Sequence, residues 1–177
     1  MKPSQSKSAG ASIAQLCPNC GLCCDSTLFA DVELQKSDDA RRMAKLGLTL
    51  EKKGRTKLAF CQPCVGFDGQ LCKFYADRPQ RCRTFDCGLL KRVAAGKMTA
   101  NAALKKISEA KKRAANIREL LGQLGQRDEA VALTHRYAAA MSAPVDLADE
   151  QNAERHGELM LAVSELMSLL QRDFLCQ

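Results

Sequence analysis

Apolar residues recur at helical spacing in the second half of the chain, and the clearest run follows Thr99 and Asn101, either of which can cap a helix. Steps of three and four positions predict one long helix with a single apolar face. Gly122 and Gly125 end the pattern. The apolar positions of this predicted helix are Leu104, Ile107, Ala110, Ala114, Ile117, Leu121 and Leu124.

Two further helices are predicted after this one. The first runs from about Asp128 to Met141 and stops before Pro144, and the second starts at Asp146, which can cap it. The last helix carries an apolar stripe of Leu159, Val163, Leu166 and Leu170, which Met160 and Met167 widen. Such a stripe is typical of packing surface, so we expect a helical bundle or hairpin, or a protein partner or second copy docked on it.

The first half of the chain shows only short patterns. Alternation over residues 28–34 predicts a strand, residues 37–39 offer caps for a helix that Gly47 stops, and residues 48–58 suggest a weak hairpin at Gly54. Residues 61–88 are typical of loops and turns, and residues 89–93 of one or two helical turns that break at Gly96. We therefore expect a disordered tail at 1–15, a cysteine-rich domain at 16–92 and a helical extension at 93–177.

Cysteine content changes this picture most. Of the ten cysteines, nine lie between Cys17 and Cys87, about one residue in eight, and Cys176 stands apart near the end. Packing does not require that density, so either a disulfide framework or a metal site is indicated. The first residues have a basic start but no apolar core of a secretory signal, and no apolar run is long enough for a membrane helix. The expected compartment is a reducing cytoplasm, which favours metal.

Charge is uneven along the sequence. Residues 1–120 hold 23 Lys and Arg against 11 Asp and Glu, whereas residues 121–177 hold 4 against 9. This asymmetry is compatible with nucleic-acid contact, with the two halves folding against each other, or with cations that offset a thiolate cluster. The basic group Lys105, Lys106, Lys111, Lys112 and Arg113 is more typical of a solvated helix face, and RNA-binding aromatic motifs are missing, so nucleic acid is an unfavoured partner.

The spacing of the cysteines points to metal chemistry. The sequence Cys17-x-x-Cys20-x-x-Cys23 resembles a ferredoxin arrangement, in which turns direct backbone N–H groups toward the sulfurs, and Gly21 favours such a turn. Side chains of the adjacent Cys23 and Cys24 diverge, so they reach two metals more easily than one. No His, carboxylate or nucleophile–base pair accompanies the cysteines, so we identify no catalytic constellation and assign no enzyme activity.

The second cysteine segment carries a family resemblance. The chain has Cys17-x-x-Cys20-x-x-Cys23-Cys24, then Cys64, then Cys72-x-x-Tyr75-x-x-Arg78-Pro79-x-x-Cys82-Arg83-x-Phe85-x-Cys87. Over about residues 17–92 this pattern closely resembles the YkgJ-type cysteine cluster family, a zinc- or iron-chelating domain. The resemblance implies metal binding through Cys17, Cys20, Cys23, Cys24, Cys64, Cys72, Cys82 and Cys87. Cys61 is an extra cysteine whose status as a ligand stays open.

Eight matched thiols fill two four-thiolate zinc sites, two 4Fe-4S clusters, or one of each. A related pattern occurs in flagellin lysine N-methylases, but this chain lacks a glycine-rich strand-turn-helix for a methyl donor, so that activity is not carried over. We expect an α-rich, small, metal-nucleated module of loops with room for a short strand pair, followed by a C-terminal helical bundle or hairpin. The expected function is chelation of zinc or iron. The first alternative is an iron–sulfur redox protein or a subunit of a protein-modifying enzyme. The second alternative is a zinc-dependent nucleic-acid-binding module.

Overall fold

The computed structural model of the protein describes residues 14–145 and 148–175. The cysteine-rich half opens with a helix, α1, described from residue 14 to residue 20. Three strands and a helix follow: β1 (Asp31–Glu33), α2 (Ala40–Lys45), β2 (Leu50–Lys53) and β3 (Lys57–Cys61). A 3-10 turn (Tyr75–Asp77), α3 (Gln80–Thr84) and α4 (Gly88–Ala94) complete this half.

The strands form one antiparallel sheet in the order β1-β3-β2. Phe60 on the central strand lies opposite Val32 on one side and Leu50 on the other. Their side chains share one face of the sheet because facing residues in a ladder point the same way. Met43 of α2 packs against this face to make a small core. The hairpin at Gly54 is confirmed, whereas the strand predicted over residues 28–34 is regular only at Asp31–Glu33 and extends the strand pair to three strands.

The second half is helical, with α5 (Ala100–Gln123), α6 (Leu133–Ser142) and α7 (Glu150–Leu170). A π-helical turn (Gln171–Leu175) continues α7. The long helix α5 is confirmed, and the Thr99 side chain caps it by accepting a hydrogen bond from the N–H of Ala102. None of the helices in the described ranges combines the length and apolarity that a bilayer span requires.

Three details of the helical half differ from expectation. α6 starts at Leu133 because the Asp128 carboxylate accepts from the N–H of Ala130 and closes a turn there instead of a helix. Asp146, the expected cap of the last helix, lies outside the described residues, and Asp149 caps α7. Met160 and Met167 do not widen the buried stripe: they are 52% and 46% exposed.

The larger core is shared by both halves of the chain. Leu16, Leu22 and Leu89 from the cysteine-rich half pack in one cluster with Ile107 of α5 and Leu159 of α7. The fold class expected from the sequence, mostly helical with a small sheet, is therefore confirmed. Nucleation by metal and the domain boundary at residue 92 stay predictions. The expected tail lies outside the described residues except for 14 and 15, which are helical.

Ion pairs also join the basic and acidic parts of the chain. Asp173 of the π-helical turn accepts from Arg92 of α4 at 3.1 Å and lies 3.6 Å from the Nζ of Lys106 of α5. Arg113 of α5 pairs with Glu165 of α7. Two members of the basic group on α5 are thus engaged within the chain, as expected if the two halves fold against each other.

Candidate metal centre

The first cysteine segment is shaped by a helix that ends in a glycine. Cys17 and Cys20 lie in α1, and Gly21 follows in the left-handed conformation with φ of 74°. The carbonyl of Gly21 accepts from the N–H of Cys24 at 2.8 Å, which closes the predicted turn. A Cβ on Gly21 would lie 2.4 Å from Cζ of Phe67, so the ring and the turn fit together only with glycine at this position.

Phe67 belongs to the second cysteine segment, which runs alongside the first. The N–H of Cys64 donates to the carbonyl of Cys24 at 2.8 Å, and Phe67 forms an isolated antiparallel bridge with Cys72. Cys82 lies within α3, and Cys87 occupies the N-cap position of α4. Backbone contacts therefore hold the two cysteine segments next to each other.

The thiols fall into two groups of four by their mutual electrostatic influence. In the first group, burial raises the pKa of Cys20 to about 12, and repulsion from Cys87 and Cys17 adds to it. Burial also raises the pKa of Cys23 well above its ordinary value, with further increases from Cys20 and Cys87. Cys17 is an exposed residue, but its sulfur is partly buried. This burial raises the pKa of Cys17, and repulsion from Cys87 raises it further. We call Cys17, Cys20, Cys23 and Cys87 the first thiol group.

The second thiol group consists of Cys24, Cys64, Cys72 and Cys82. Burial raises the pKa of Cys24 to about 12, followed by repulsion from Cys64, Cys72 and Cys82. The pKa of Cys82 is raised to about 11, mainly by burial and then by repulsion from Cys64 and Cys72. Except for the effect of Cys24 on its sequence neighbour Cys23, the main thiol contributions to each pKa shift come from the thiol's own group.

Packing divides the cysteines in the same way. Cys20 and Cys87 lie against the larger, helical core, whereas Cys64 and Cys82 lie against the small core under the sheet. Two members of each group thus pack against a different hydrophobic core, and the adjacent Cys23 and Cys24 connect the two groups in sequence. That Cys23 and Cys24 serve two different metals stays a prediction.

Backbone N–H groups point to the sulfurs in both groups, as expected for the turns. The Cys20 sulfur accepts from Leu22, and the Cys64 sulfur accepts from Gly66 and Phe67, which lowers the pKa of each thiol against the larger effect of burial. Within residues 14–145 and 148–175, no three His, Cys, Asp or Glu side chains converge closely enough to hold an ion as they stand. The donor sets themselves, four thiols each, fit zinc and iron alike.

Arg78 lies beside both groups. Burial raises the pKa of Cys17 in the first group and of Cys82 in the second, and the positive charge of Arg78 lowers both pKa values by a smaller amount. Its guanidinium stacks 3.8 Å from the centre of the Tyr75 ring, and its Nε donates to the Tyr75 carbonyl at 3.1 Å. Arg83 donates to the carbonyls of Arg78 and Ala76. The hydrogen bonds of both arginines thus go to backbone carbonyls and shape the turn before α3.

Cys61 stands outside both groups. It lies exposed on the outer face of the sheet, 3.6 Å from Oε2 of Glu51, and partial burial followed by the charges of Glu51 and Asp31 raises its pKa. No thiol of either group contributes to that shift. Cys176 lies outside the described residues.

Contacts that sequence reasoning missed hold the segment after Cys24. Arg118 of α5 donates to the Asp25 carbonyl at 2.9 Å and to Oγ1 of Thr27 at 3.1 Å. Ser26, buried and with φ of 70°, accepts from the N–H of Leu133 at 3.1 Å. These partners lie more than 90 residues away in sequence, and no local pattern announces them.

Comparison with known proteins adds family membership. No curated protein and no solved structure matches the chain. A family model described as "CxxCxxCC: Putative zinc- or iron-chelating domain" matches residues 16–115, which include both thiol groups and more than half of α5. The match covers more than half of the sequence and supports metal binding in general. The chain belongs to the CxxCxxCC family.

Proposed function

We propose that the protein chelates zinc or iron in two four-thiolate centres. The first thiol group, Cys17, Cys20, Cys23 and Cys87, would hold one centre, and the second, Cys24, Cys64, Cys72 and Cys82, the other. The observation that carries this proposal is the separation of the eight family cysteines into two fours by their mutual electrostatic influence, with Cys20 and Cys87 packed against one core and Cys64 and Cys82 against the other. Four thiolates complete the tetrahedral shell of a structural zinc, and equally the corners of an iron–sulfur cluster.

Charge supports two centres in this part of the chain. Four thiolates around a divalent ion carry a net charge of about −2, so two such centres bring about −4. Residues 1–120 carry twelve more basic than acidic side chains, and Arg78 lies beside both thiol groups. The basic surplus therefore has a local role that needs no nucleic acid.

A second candidate concerns the first centre alone. Its three closely spaced cysteines and its remote fourth, Cys87, match the pattern that holds a 4Fe-4S cluster. In that case the protein is an iron–sulfur redox protein or a subunit of a protein-modifying enzyme, and the second centre is a structural zinc or iron site. A cytoplasmic location would keep both sets of thiols reduced.

The experiment is anaerobic purification without added metal, followed by elemental analysis, sulfide determination and a visible spectrum on one sample. We expect two metal centres per chain. Colourless protein with two zinc ions supports two structural sites, whereas brown protein with iron and sulfide supports the second candidate. Protein that lacks both metals after anaerobic purification, and does not take them up on reconstitution, refutes the proposal.

Serine variants then test the pairing of the thiols. Cys87→Ser and Cys72→Ser each remove one ligand from a different group, so each should lose one centre and retain the other. Cys61→Ser is the matched control, because Cys61 faces Glu51 and not the thiol groups, and it should retain both. Loss of both centres in Cys61→Ser contradicts the pairing. If the two centres hold different metals, Cys87→Ser and Cys72→Ser should each retain a different one, so identical visible spectra of these two variants also contradict it.

A further inference from the structure

An open cleft of about 410 Å³ lies where the end of α5, the loop after it and the start of α6 meet. Three arginines line it: Arg118 of α5, Arg127 of the loop and Arg136 of α6. Two carboxylates, Glu119 and Glu129, also face it. Its volume is within the range of small-molecule sites, and no cysteine of the described part of the chain lines it.

Arg136 is the unusual member of this set. Only 4% of its surface is exposed, yet no carboxylate of the described ranges lies within 4.0 Å of its guanidinium. Its Nε and Nη2 both donate to one acceptor, the carbonyl of Gln126, and its Nη1 has no hydrogen-bond partner among the described residues. A buried guanidinium without a counter-ion is costly, because a single carbonyl offsets only part of the lost hydration.

Arg127 adds a second cation without an acidic partner. Its Nε donates to the Gly122 carbonyl at 3.3 Å, and it forms no ion pair with the described residues. Arg118, by contrast, is already 3.2 Å from a carboxylate oxygen of Asp25. The cleft therefore offers two guanidinium groups that have no acidic partner among the described residues, one buried and one exposed. The Nε and Nη2 of Arg136 and the Nε of Arg127 are engaged by carbonyls, so Nη1 of Arg136 and the Nη groups of Arg127 are the donors left for an anion.

We propose that this cleft binds a small molecule through a phosphate or carboxylate group held by Arg127 and Arg136. The anion would supply the counter-charge that Arg136 lacks. Glu119 and Glu129 lower the net positive charge of the cleft and would weaken the binding of an anion without preventing it. The proposal does not depend on the metal centres, since no described cysteine is among the residues that line the cleft.

Calorimetric titration of the full-length, metal-loaded protein at fixed ionic strength tests it, with sodium phosphate and sodium acetate as separate probes. We expect saturable binding of at least one probe, and the stronger one identifies the group. Arg127→Gln should weaken binding about tenfold or more, the equivalent of one lost charged hydrogen bond. Glu129→Gln should strengthen it, because a repulsive charge is removed from the cleft.

Two further variants separate recognition by the cleft from a general effect of charge and from a loss of folding. Lys105→Gln removes an exposed charge from α5 roughly 20 Å away along the helix at 1.5 Å per residue, and should bind as the wild type does. Arg136→Lys keeps the buried charge but not the fork, and should bind about tenfold more weakly with an unchanged circular dichroism spectrum. No saturable binding of either probe, or equal losses in Arg127→Gln and Lys105→Gln, overturns the proposal.

Discussion

Leu22 sits between two cysteines but belongs to the helical core. Its side chain is fully buried, with 0% exposure, in the cluster that contains Ile107 and Leu159. Leu22→Ala therefore removes packing that joins the cysteine loop to the helices. Because Leu22 is enclosed on all sides, the truncation leaves a cavity inside the core. We therefore expect a loss of about 3 kcal/mol in the free energy of unfolding, within the usual range for buried leucines.

The assay is thermal unfolding of the metal-loaded protein followed by far-ultraviolet circular dichroism. Most of that signal comes from α5 and α7, which lie far from Leu22 in sequence. For a domain of this size, a loss of about 3 kcal/mol lowers the midpoint by roughly 6–12 °C. A metal-held loop that is independent of the helices would leave this midpoint unchanged.

The matched control is Leu71→Ala. Leu71 lies in the second cysteine segment but is 55% exposed, so its truncation should change stability by no more than about 0.5 kcal/mol. A helical midpoint that shifts by less than about 1 °C in Leu22→Ala, or by the same amount in both variants, refutes the shared core as the link between the halves.

Three other predictions concern the thiol groups. Gly21→Ala should weaken metal binding in a chelator-competition assay and destabilise the loop by about 1–3 kcal/mol, because φ is 74° and the new Cβ meets Phe67; unchanged affinity would contradict this. Burial raises the pKa of Cys20 and Cys24 to about 12, so the folded metal-free chain keeps protons that the unfolded chain releases near its ordinary thiol pKa of 9.0. Its stability should therefore fall as pH rises from about 9 to about 12, and urea titrations should show a shallower fall in Cys24→Ala. Because the two thiol groups lie against cores of different size and Cys17 of the first group is exposed, the two centres should load unequally, and native mass spectrometry at half saturation should find more than the roughly half of chains with one metal that independent equal sites give.

The helix α5 could be predicted because every local signal agrees on it. Its apolar spacing, the Thr99 cap and Gly125 just beyond its end all specify the same element, although Gly122, which was also expected to end it, lies inside the helix. Five positions of the predicted apolar face are buried as expected: Ile107, Ala110, Ala114, Ile117 and Leu121. The start of α6 could not be predicted in the same way. Asp128 can cap a helix or close a turn, and the choice depends on contacts such as that of Leu133 with Ser26, which the local pattern does not contain.

The sequence nominates the cysteines of the candidate site but does not divide them into groups. Spacing and family pattern identify eight cysteines, and the adjacency of Cys23 and Cys24 already indicates two directions. Which of the remote cysteines joins which group depends on tertiary packing. Cys87 lies against the helical core because α4 carries Leu89 into it, and Cys64 lies against the small core under the sheet.

The pairing has a physical consequence for the proposed metal centres. The helical core is large and already joins α1, α4, α5 and α7 through buried side chains, so the first thiol group rests on packing that needs no ion. The second thiol group rests on a core of only four buried residues, of which Phe60 and Met43 are the largest. Burial of so little apolar surface stabilises a fold weakly, and small domains commonly depend on metal for that reason. A metal in the second centre should therefore contribute more to folding, whereas a metal in the first, beside the exposed Cys17, is better placed for exchange or electron transfer.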